Sequence, residues 1–400
     1  MTHLLEQIKA HSTRLFEKTQ QTRRHLHAHP ELSFEEFETA KFVAERLRNL
    51  GLSPQEGIAG TGVVVTIEGT KAPSSRVIGL RADIDALPIL EQNEVTYSST
   101  KPGVMHACGH DVHTSSLLST AEILTELRHE FEGTFKLVFQ PAEEKAPGGA
   151  SLLIKEGVLE NPQVQRMFGQ HVAPNVPVGK IGFREGMYMA STDEIYMTII
   201  GKGGHGAAPD QLIDPVLIAS HIIVSLQQII SRNKKPANPS VLSFGRFIAD
   251  GVTNVIPNEV KIEGTYRCMD EEWREEGLRK MKKMAEGIAD AMGAVCDFQI
   301  VRGYPFLKNN PLVTRRARAA ASSYVGAENI VDLDLWMAGE DFAYYSQVVD
   351  SCFYRLGTRN ESKGIISGVH TPTFDIDEQA LEIGPGLMAW MGLSEMSFES

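Results

Sequence analysis

Cysteine is sparse in this chain. There are four in 400 residues (Cys108, Cys268, Cys296 and Cys352), and no two are close enough to form a Cys-x-x-Cys half-site. That argues against a disulfide-framed secreted domain and against a closed structural zinc site. Basic charge is also short: 39 Lys and Arg face 51 Asp and Glu, a net charge of −12, where a nucleic-acid binder would show a basic face. No apolar run approaches the ~18–20 residues of a membrane span. The best stretch, Val216 to Ile230, is interrupted by His221, Ser225, Gln227 and Gln228. The first residues, Met1 to Lys9, alternate charge with Leu and Ile like an amphipathic helix and lack the apolar core of a signal peptide. Internal repeats and low-complexity tracts are missing too. The expectation is a cytoplasmic globular protein with neither a nucleic-acid nor a membrane partner.

What is present is concentrated. The segment Met105-His-Ala-Cys-Gly-His-Asp-Val-His113 puts a thiol, three imidazoles and a carboxylate within nine residues. The adjacent pair Glu143-Glu144 follows thirty-odd residues later. Thiolate, imidazole and carboxylate are the donors that hold zinc and its first-row neighbours. Two neighbouring carboxylates are what metal-assisted hydrolysis uses, one to bind an ion and one to move a proton. A single cysteine among His and Glu fits an open, catalytic metal site, so the residues point to a metal-dependent hydrolase.

Length and pattern suggest two domains. Residues 3–50 read as helical with a break at His29-Pro-Glu31, residues 62–68 and 76–80 as strands, and 112–127 as a helix. Strands over 134–139 and 166–169 deliver Gln140-Pro-Ala-Glu-Glu144 and Gln170-His171. Such alternation predicts an α/β domain with a mostly parallel sheet, whose site lies beyond the carboxyl ends of the strands, where Asp83, Asp85, Glu143, Glu144 and His171 fall. From about residue 190 the order becomes β-α-β-β-α-β, a ferredoxin-like α+β unit. We therefore expect a discontinuous metal-binding catalytic domain over 1–188 and 304–400, with a lid and dimerisation domain inserted at 189–303. Met337-Ala-Gly-Glu-Asp-Phe342 reads as the opening of a helix, and His370 as a loop residue.

Six segments occur in order: Arg23-Arg24…His27…Pro30-Glu-Leu32, Leu80-Arg-Ala-Asp-Ile-Asp-Ala-Leu-Pro88, His106-Ala-Cys-Gly-His-Asp111, Gln140-Pro-Ala-Glu-Glu144, Gly203-Gly-His-Gly-Ala-Ala-Pro209 and Ala338-Gly-Glu-Asp-Phe342. Together they make the chain resemble the M20 metallopeptidase family, in particular its amidohydrolase branch of hippurate hydrolases, N-acyl-L-amino-acid amidohydrolases and indole-acetyl-amino-acid hydrolases. The resemblance implies hydrolysis of the amide bond of a small N-acyl amino acid. It implies two divalent metal ions per subunit, Zn²⁺ or Mn²⁺, held by Cys108, His110, Glu144, His171 and His370, with Cys108 bridging. Glu143 would be the general base and then acid, and Asp85 would orient a ligand or the base. His205 would reach the partner subunit's site and stabilise the oxyanion. Asn254 and Arg267 would hold the substrate carboxylate, and Gly339, at a helix start, would offer its neighbouring amides. A homodimer or homotetramer is expected through the inserted domain.

Other polar residues carry plainer readings. His27, His29, His106 and His113 read as structural or supporting groups, Glu340 and Asp341 as helix-start charges, and Arg315-Arg-Ala-Arg318 as a solvated helix face. A di- or aminopeptidase of the same fold is the main alternative. It would need an acidic pocket for a free ammonium, whereas Asn254 and Arg267 suit a carboxylate.

Overall fold

The computed structural model describes residues 2–398 and divides into two compact units. The larger gathers Met1–Gly186, Lys308–Asp334 and Asp341–Ser400, and the smaller Met187–Leu307 with Leu335–Glu340. The second unit therefore includes a short return segment that the expected limits, 189–303, leave out. Its backbone is tied to the chain entering the unit: Ala190 N–H donates to the carbonyls of Trp336 (3.2 Å) and Ala338 (3.1 Å).

The larger unit is built on an eight-stranded sheet in the order Gln55–Ile58, Gly62–Glu68, Thr134–Gln140, Val77–Asp83, Arg166–Pro177, Asp350–Arg359, Ile181–Phe183, Ile330–Asp332. Its middle four strands run parallel, and the Gln55–Ile58 and Gly62–Glu68 hairpin closes one edge antiparallel. All seven residues of Val77–Asp83 are buried, as expected of a central parallel strand covered on both sides. The helices Thr2–Ala28, His110–Glu126 and Ala380–Met396 pack on one another, and the latter two also pack against that strand and its neighbours. His110–Glu126 is buried almost throughout because its polar positions are small. Thr19 and Ser119 hydroxyls meet at 2.6 Å, and Thr120 donates to the Pro385 carbonyl at 3.0 Å.

Two strands run further than the sequence suggests. Val77–Asp83 carries its register as far as Asp83, opposite Gln140. Arg166–Pro177 continues past His171, which sits inside the strand opposite Arg355 rather than at its end. Met337–Phe342 does not open a helix: a six-residue helix starts only at Ala343.

In the smaller unit four antiparallel strands take the order Ser240–Ile248, Glu259–Cys268, Asp193–Ile200, Val295–Arg302. In chain order this is 2-3-1-4, the ferredoxin-like arrangement. Helices Pro215–Gln228 and Glu271–Ala291 pack together over the sheet. Both have acidic caps: the Asp214 carboxylate accepts from Val216 and Leu217 N–H, and Asp270 from Trp273 N–H. With the turn Ile229–Asn233, the first helix makes a 19-residue stretch of mean hydropathy 1.2, among the described residues the one long and apolar enough to cross a membrane. It is longer than the interrupted run in the sequence indicates. One face of it packs on the core of the smaller unit: Ile218, Ala219, Ile222, Leu226 and Ile229 are buried, while Leu217, His221, Val224, Gln227 and Gln228 lie on the exposed side.

Candidate metal centre and active site

The helix His110–Glu126 begins after Gly109, whose φ of +82° lets the chain turn sharply between two donors. Cys108 and His110 thereby face the same space, and both are buried. Glu143 and Glu144 arrive from the strand Thr134–Gln140 through Ala142, itself at φ +50°. The Ala142 N–H is taken by buried Glu36 at 2.8 Å, which holds this unusual backbone in place.

Among the described residues five sets of donor atoms lie within 4.8 Å of one another: Cys108, His110 and His171; Cys108, Glu144 and His370; His110, Glu143 and Glu144; and two outside the predicted ligands, Asp83, His110 and His113, and Glu143, Glu340 and Asp341. All five proposed ligands and the proposed base are thus brought together, with Cys108, His110 and Glu144 each shared between sets. His370 alone is exposed. Its Nε2 lies 3.1 Å from Glu144 Oε1.

The donors fit divalent metal ions on three counts. First, among the described residues His110 Nε2 is buried without a hydrogen bond, 3.9 Å from Glu144 Oε1, an oxygen whose near neighbour is another donor, His370 Nε2, so these atoms converge on one space. Second, the ring orientations are fixed from behind. Asp85 engages His110 Nδ1 through its carbonyl (3.0 Å) and carboxylate (3.1 Å), and His171 Nδ1 donates to the Val172 carbonyl at 2.8 Å, leaving its Nε2 3.5 Å from Cys108 Sγ. Third, burial, aided by the Glu144 and Glu143 carboxylates, pushes the Cys108 thiol well up, so a thiolate there needs a cation beside it. Burial and Arg355 keep His171 well below its ordinary value, in the neutral form that ligates. His110 is pulled down by burial, but Asp83, Asp85 and Glu144 outweigh this and push it up to about 10, the response of an imidazole in a site built for positive charge.

Asp85 does more than orient one ring. Its Oδ2 accepts from Ser33 Oγ (2.6 Å) and from the Glu144 N–H (3.0 Å), so one buried carboxylate ties His110 to the backbone of Glu144. Glu143 Oε1 accepts from the Asp341 N–H at 3.3 Å.

Several groups around these were not singled out from sequence. Arg81 is fully buried and bridges Asp83 to Asp341, and Gln140 donates to both Asp341 oxygens at 2.8 Å. Asp341 also takes the Ala150 N–H at 3.0 Å, so the reading of Asp341 as a helix-start charge is wrong. No helix begins there, and its carboxylate is a buried acceptor. Arg81 and Gln140 both fall inside recognised segments, at strand positions whose burial the pattern could have flagged. Ser33 and Glu36 had no such signal.

Two of the neighbouring histidines, His113 and His27, have structural partners, and a third, His106, does not. His113 engages Asp83 Oδ1 through Nδ1 and accepts from the Val172 N–H through Nε2 at 2.9 Å, so neither nitrogen is left for an ion. His27 lies between Asp111 (2.7 Å) and Glu91 (3.1 Å). Among the described residues His106 has no partner on either nitrogen, and burial drives it down to about 4, so it is neutral.

In the smaller unit His205 is exposed on a two-stranded ribbon, opposite Val255. Gly203 permits this approach, because a Cβ there would meet the Ile256 carbonyl at 2.4 Å. Asn254 belongs to the same ribbon, its carbonyl accepting from Gly206 N–H at 2.9 Å. Arg267 lies half-buried on the strand Glu259–Cys268 and donates through Nε to Thr265 at 3.0 Å. Gly339 does not start a helix, so the amide role expected of it lacks its basis. Glycine is required there by packing: a Cβ would meet Thr192 Cγ2 at 2.3 Å.

The sequence from residue 79 to 390 matches the model of peptidase family M20/M25/M40. The chain belongs to that family. Every residue of the metal cluster lies inside the matched stretch. Among relatives, an N-acetylcysteine deacetylase of Bacillus subtilis (strain 168) is 40% identical over 94% of this chain and 95% of its own. Thermostable carboxypeptidase 2 of Saccharolobus solfataricus is 37% identical over 95% of this chain and 96% of its own. Among solved structures, a dinuclear metal-binding M20 peptidase of Bacillus subtilis superposes with a TM-score of 0.82 at 36% identity, covering 95% of this chain and 98% of that one.

Proposed function

We infer that this M20 enzyme hydrolyses the amide bond of N-acyl amino acids, releasing a carboxylic acid and an amino acid, in a reaction that depends on divalent metal. The observation that carries the reading is the convergence of one thiol, three imidazoles and a carboxylate beside a second carboxylate, Glu143, in one family-matched site. Cys108, His110, Glu144, His171 and His370 would hold two ions, Zn²⁺ or Mn²⁺. Such ions, when bound, acidify water and polarise the acyl carbonyl. Glu143 takes the proton of the attacking water and returns it to the departing nitrogen, a division of labour that leaves Glu144 free to bind. Asp85 keeps His110 and Glu144 in register. His205 donates to the oxyanion of a partner subunit's substrate, and Asn254 with Arg267 receives the α-carboxylate.

The deacetylase relative supports an acylated substrate. The carboxypeptidase relative favours a second reading, a peptidase of the same fold, and both substrate classes carry a free carboxylate. Association of copies through the smaller unit is supported by its apolar outer strands, where Val241, Phe247, Val295 and Val301 are exposed, and by Leu217 and Val224 on the helix. A cytoplasmic enzyme remains our proposal from the sparse, scattered cysteines.

The test is activity of chelated and then metal-restored enzyme on N-acetyl-, N-benzoyl- and indole-acetyl-amino acids beside free and N-blocked dipeptides. Metal-restored release of amino acid from the acylated compounds supports the amidohydrolase. Cleavage of dipeptides alone moves the enzyme to the peptidases.

A further inference from the structure

His370 differs from the other four donors. It is exposed, and its φ of +61° is a conformation that L side chains rarely adopt. Such a residue stays in place only if its surroundings over-determine it. The His370 N–H donates to the Ala107 carbonyl at 2.7 Å, next to Cys108. Two residues on, the Pro372 carbonyl accepts from Gln92 N–H at 2.9 Å, and the Phe374 carbonyl accepts from Asn93 Nδ2 at 2.8 Å. The Asp375 carboxylate then closes the loop, accepting from Tyr97 Oη (2.9 Å) and from Arg23 Nη2 (2.9 Å). Arg23 is fully buried, and its Nε donates to Asp111, the residue after His110, at 2.8 Å. One guanidinium thus joins the segment that carries His110 to the loop that carries His370.

We propose that Arg23, Tyr97 and Asp375 are positioning residues that strap the 370–375 loop, so that His370 reaches the metal cluster with the geometry of the second ion's ligand. The inference rests on the metal reading above and deepens it. None of the three is a proposed ligand, and their effect is exerted through the loop. Its signature is selective. Loosening the strap at Tyr97 or Asp375 weakens one ion and leaves the other, because His110 and Glu144 are held by Asp85, and His171 by the Val172 carbonyl.

The test is metal stoichiometry and affinity of the whole chain, by chelator competition with Zn²⁺ and by elemental analysis, for wild type, Asp375→Asn, Tyr97→Phe and His370→Ala. Asp375→Asn and Tyr97→Phe keep side-chain shape and lie at part-buried positions, so both should fold where removal of Arg23 could fail. Wild type is expected to hold two ions. Asp375→Asn should weaken one of them by about 10–100-fold, the usual effect of losing a group that supports a ligand. Tyr97→Phe should have a smaller effect in the same direction, and His370→Ala should lose the same ion outright. Two ions held at wild-type affinity in Asp375→Asn would overturn the strap, as would equal weakening of both ions with a matching fall in melting temperature. A wild type that binds fewer than two ions would instead sink the two-metal reading, and the strap's purpose with it.

Discussion

Glycine 109 decides whether Cys108 and His110 can serve one site. With φ at +82°, an added Cβ would meet Val172 Cγ2 at 2.5 Å and Phe374 at 3.4 Å. Gly109→Ala is therefore expected to cost on the order of 1–3 kcal/mol in a denaturation curve and to lower metal content, since Val172 follows His171. The two glutamates should separate by what each loses. Glu143→Gln keeps its hydrogen-bonding shape but no longer takes a proton, so turnover should fall about 10²–10⁴-fold with metal content unchanged. Normal turnover in that variant would remove the base assignment. Cys108→Ala should lose metal instead, and an unchanged stoichiometry would count against the thiolate as a ligand. At this scale the sequence was informative about which side chains matter and silent about what holds them. Asp341 illustrates the gap. Its position beside Gly339 and Glu340 suggested a helix start, yet its buried carboxylate receives Arg81, Gln140 and the Ala150 amide from segments about 190–260 residues away. Long-range pairing of this kind leaves no local trace.

Among the elements, the carboxyl-terminal helix Ala380–Met396 shows how a buried charge sets stability. Asp377, just before it, accepts from Asn360 Nδ2, from Lys363 Nζ (3.1 Å) and from the Gln379 N–H (3.1 Å). Burial alone would raise its pKa, but these donors outweigh burial and hold it below the ordinary carboxylate value. A depressed folded-state pKa contributes stability that is fully present above the unfolded value of about 3.9 and is lost as pH falls through the folded one. Asp377→Asn should thus cost about 1–2 kcal/mol at neutral pH, with the difference from wild type shrinking below about pH 4. Urea melts across pH 3–7 would check this, and parallel curves for the two proteins would reject it. Most elements were legible because periodicity is local. The errors lie at ends: the strand carrying His171 runs to Pro177, since its pairing with Asp350–Arg359 extends that far, and the helix after Gly339 starts later and is short.

For the whole molecule, the proposal that His205 serves the partner subunit has a sharp consequence. His205→Ala alone should retain its metal and lose about 10²–10³-fold in turnover, as for removal of one oxyanion donor. Mixed with Glu143→Gln under conditions that exchange subunits, it should regain activity. Each mixed dimer would then hold one site with both Glu143 and a His205 from its neighbour. Two inactive parents that stay inactive after verified exchange would place His205 in its own chain's site, or outside catalysis.

The sequence by itself determined the donor inventory, the α/β character of the larger unit, the β-α-β-β-α-β order of the smaller and membership of the M20 family. These depend on residue type and short-range spacing, which a linear string records in full. Tertiary structure alone decided the supports. It showed that Asp85 joins His110 to the Glu144 backbone, that His113 spends both nitrogens on Asp83 and Val172, and that His370 stands at a left-handed backbone position tied back to Ala107. Each of these is a contact between segments far apart in the chain. Its existence depends on how the strands and helices pack, and so it is set by the fold rather than by any local run of residues.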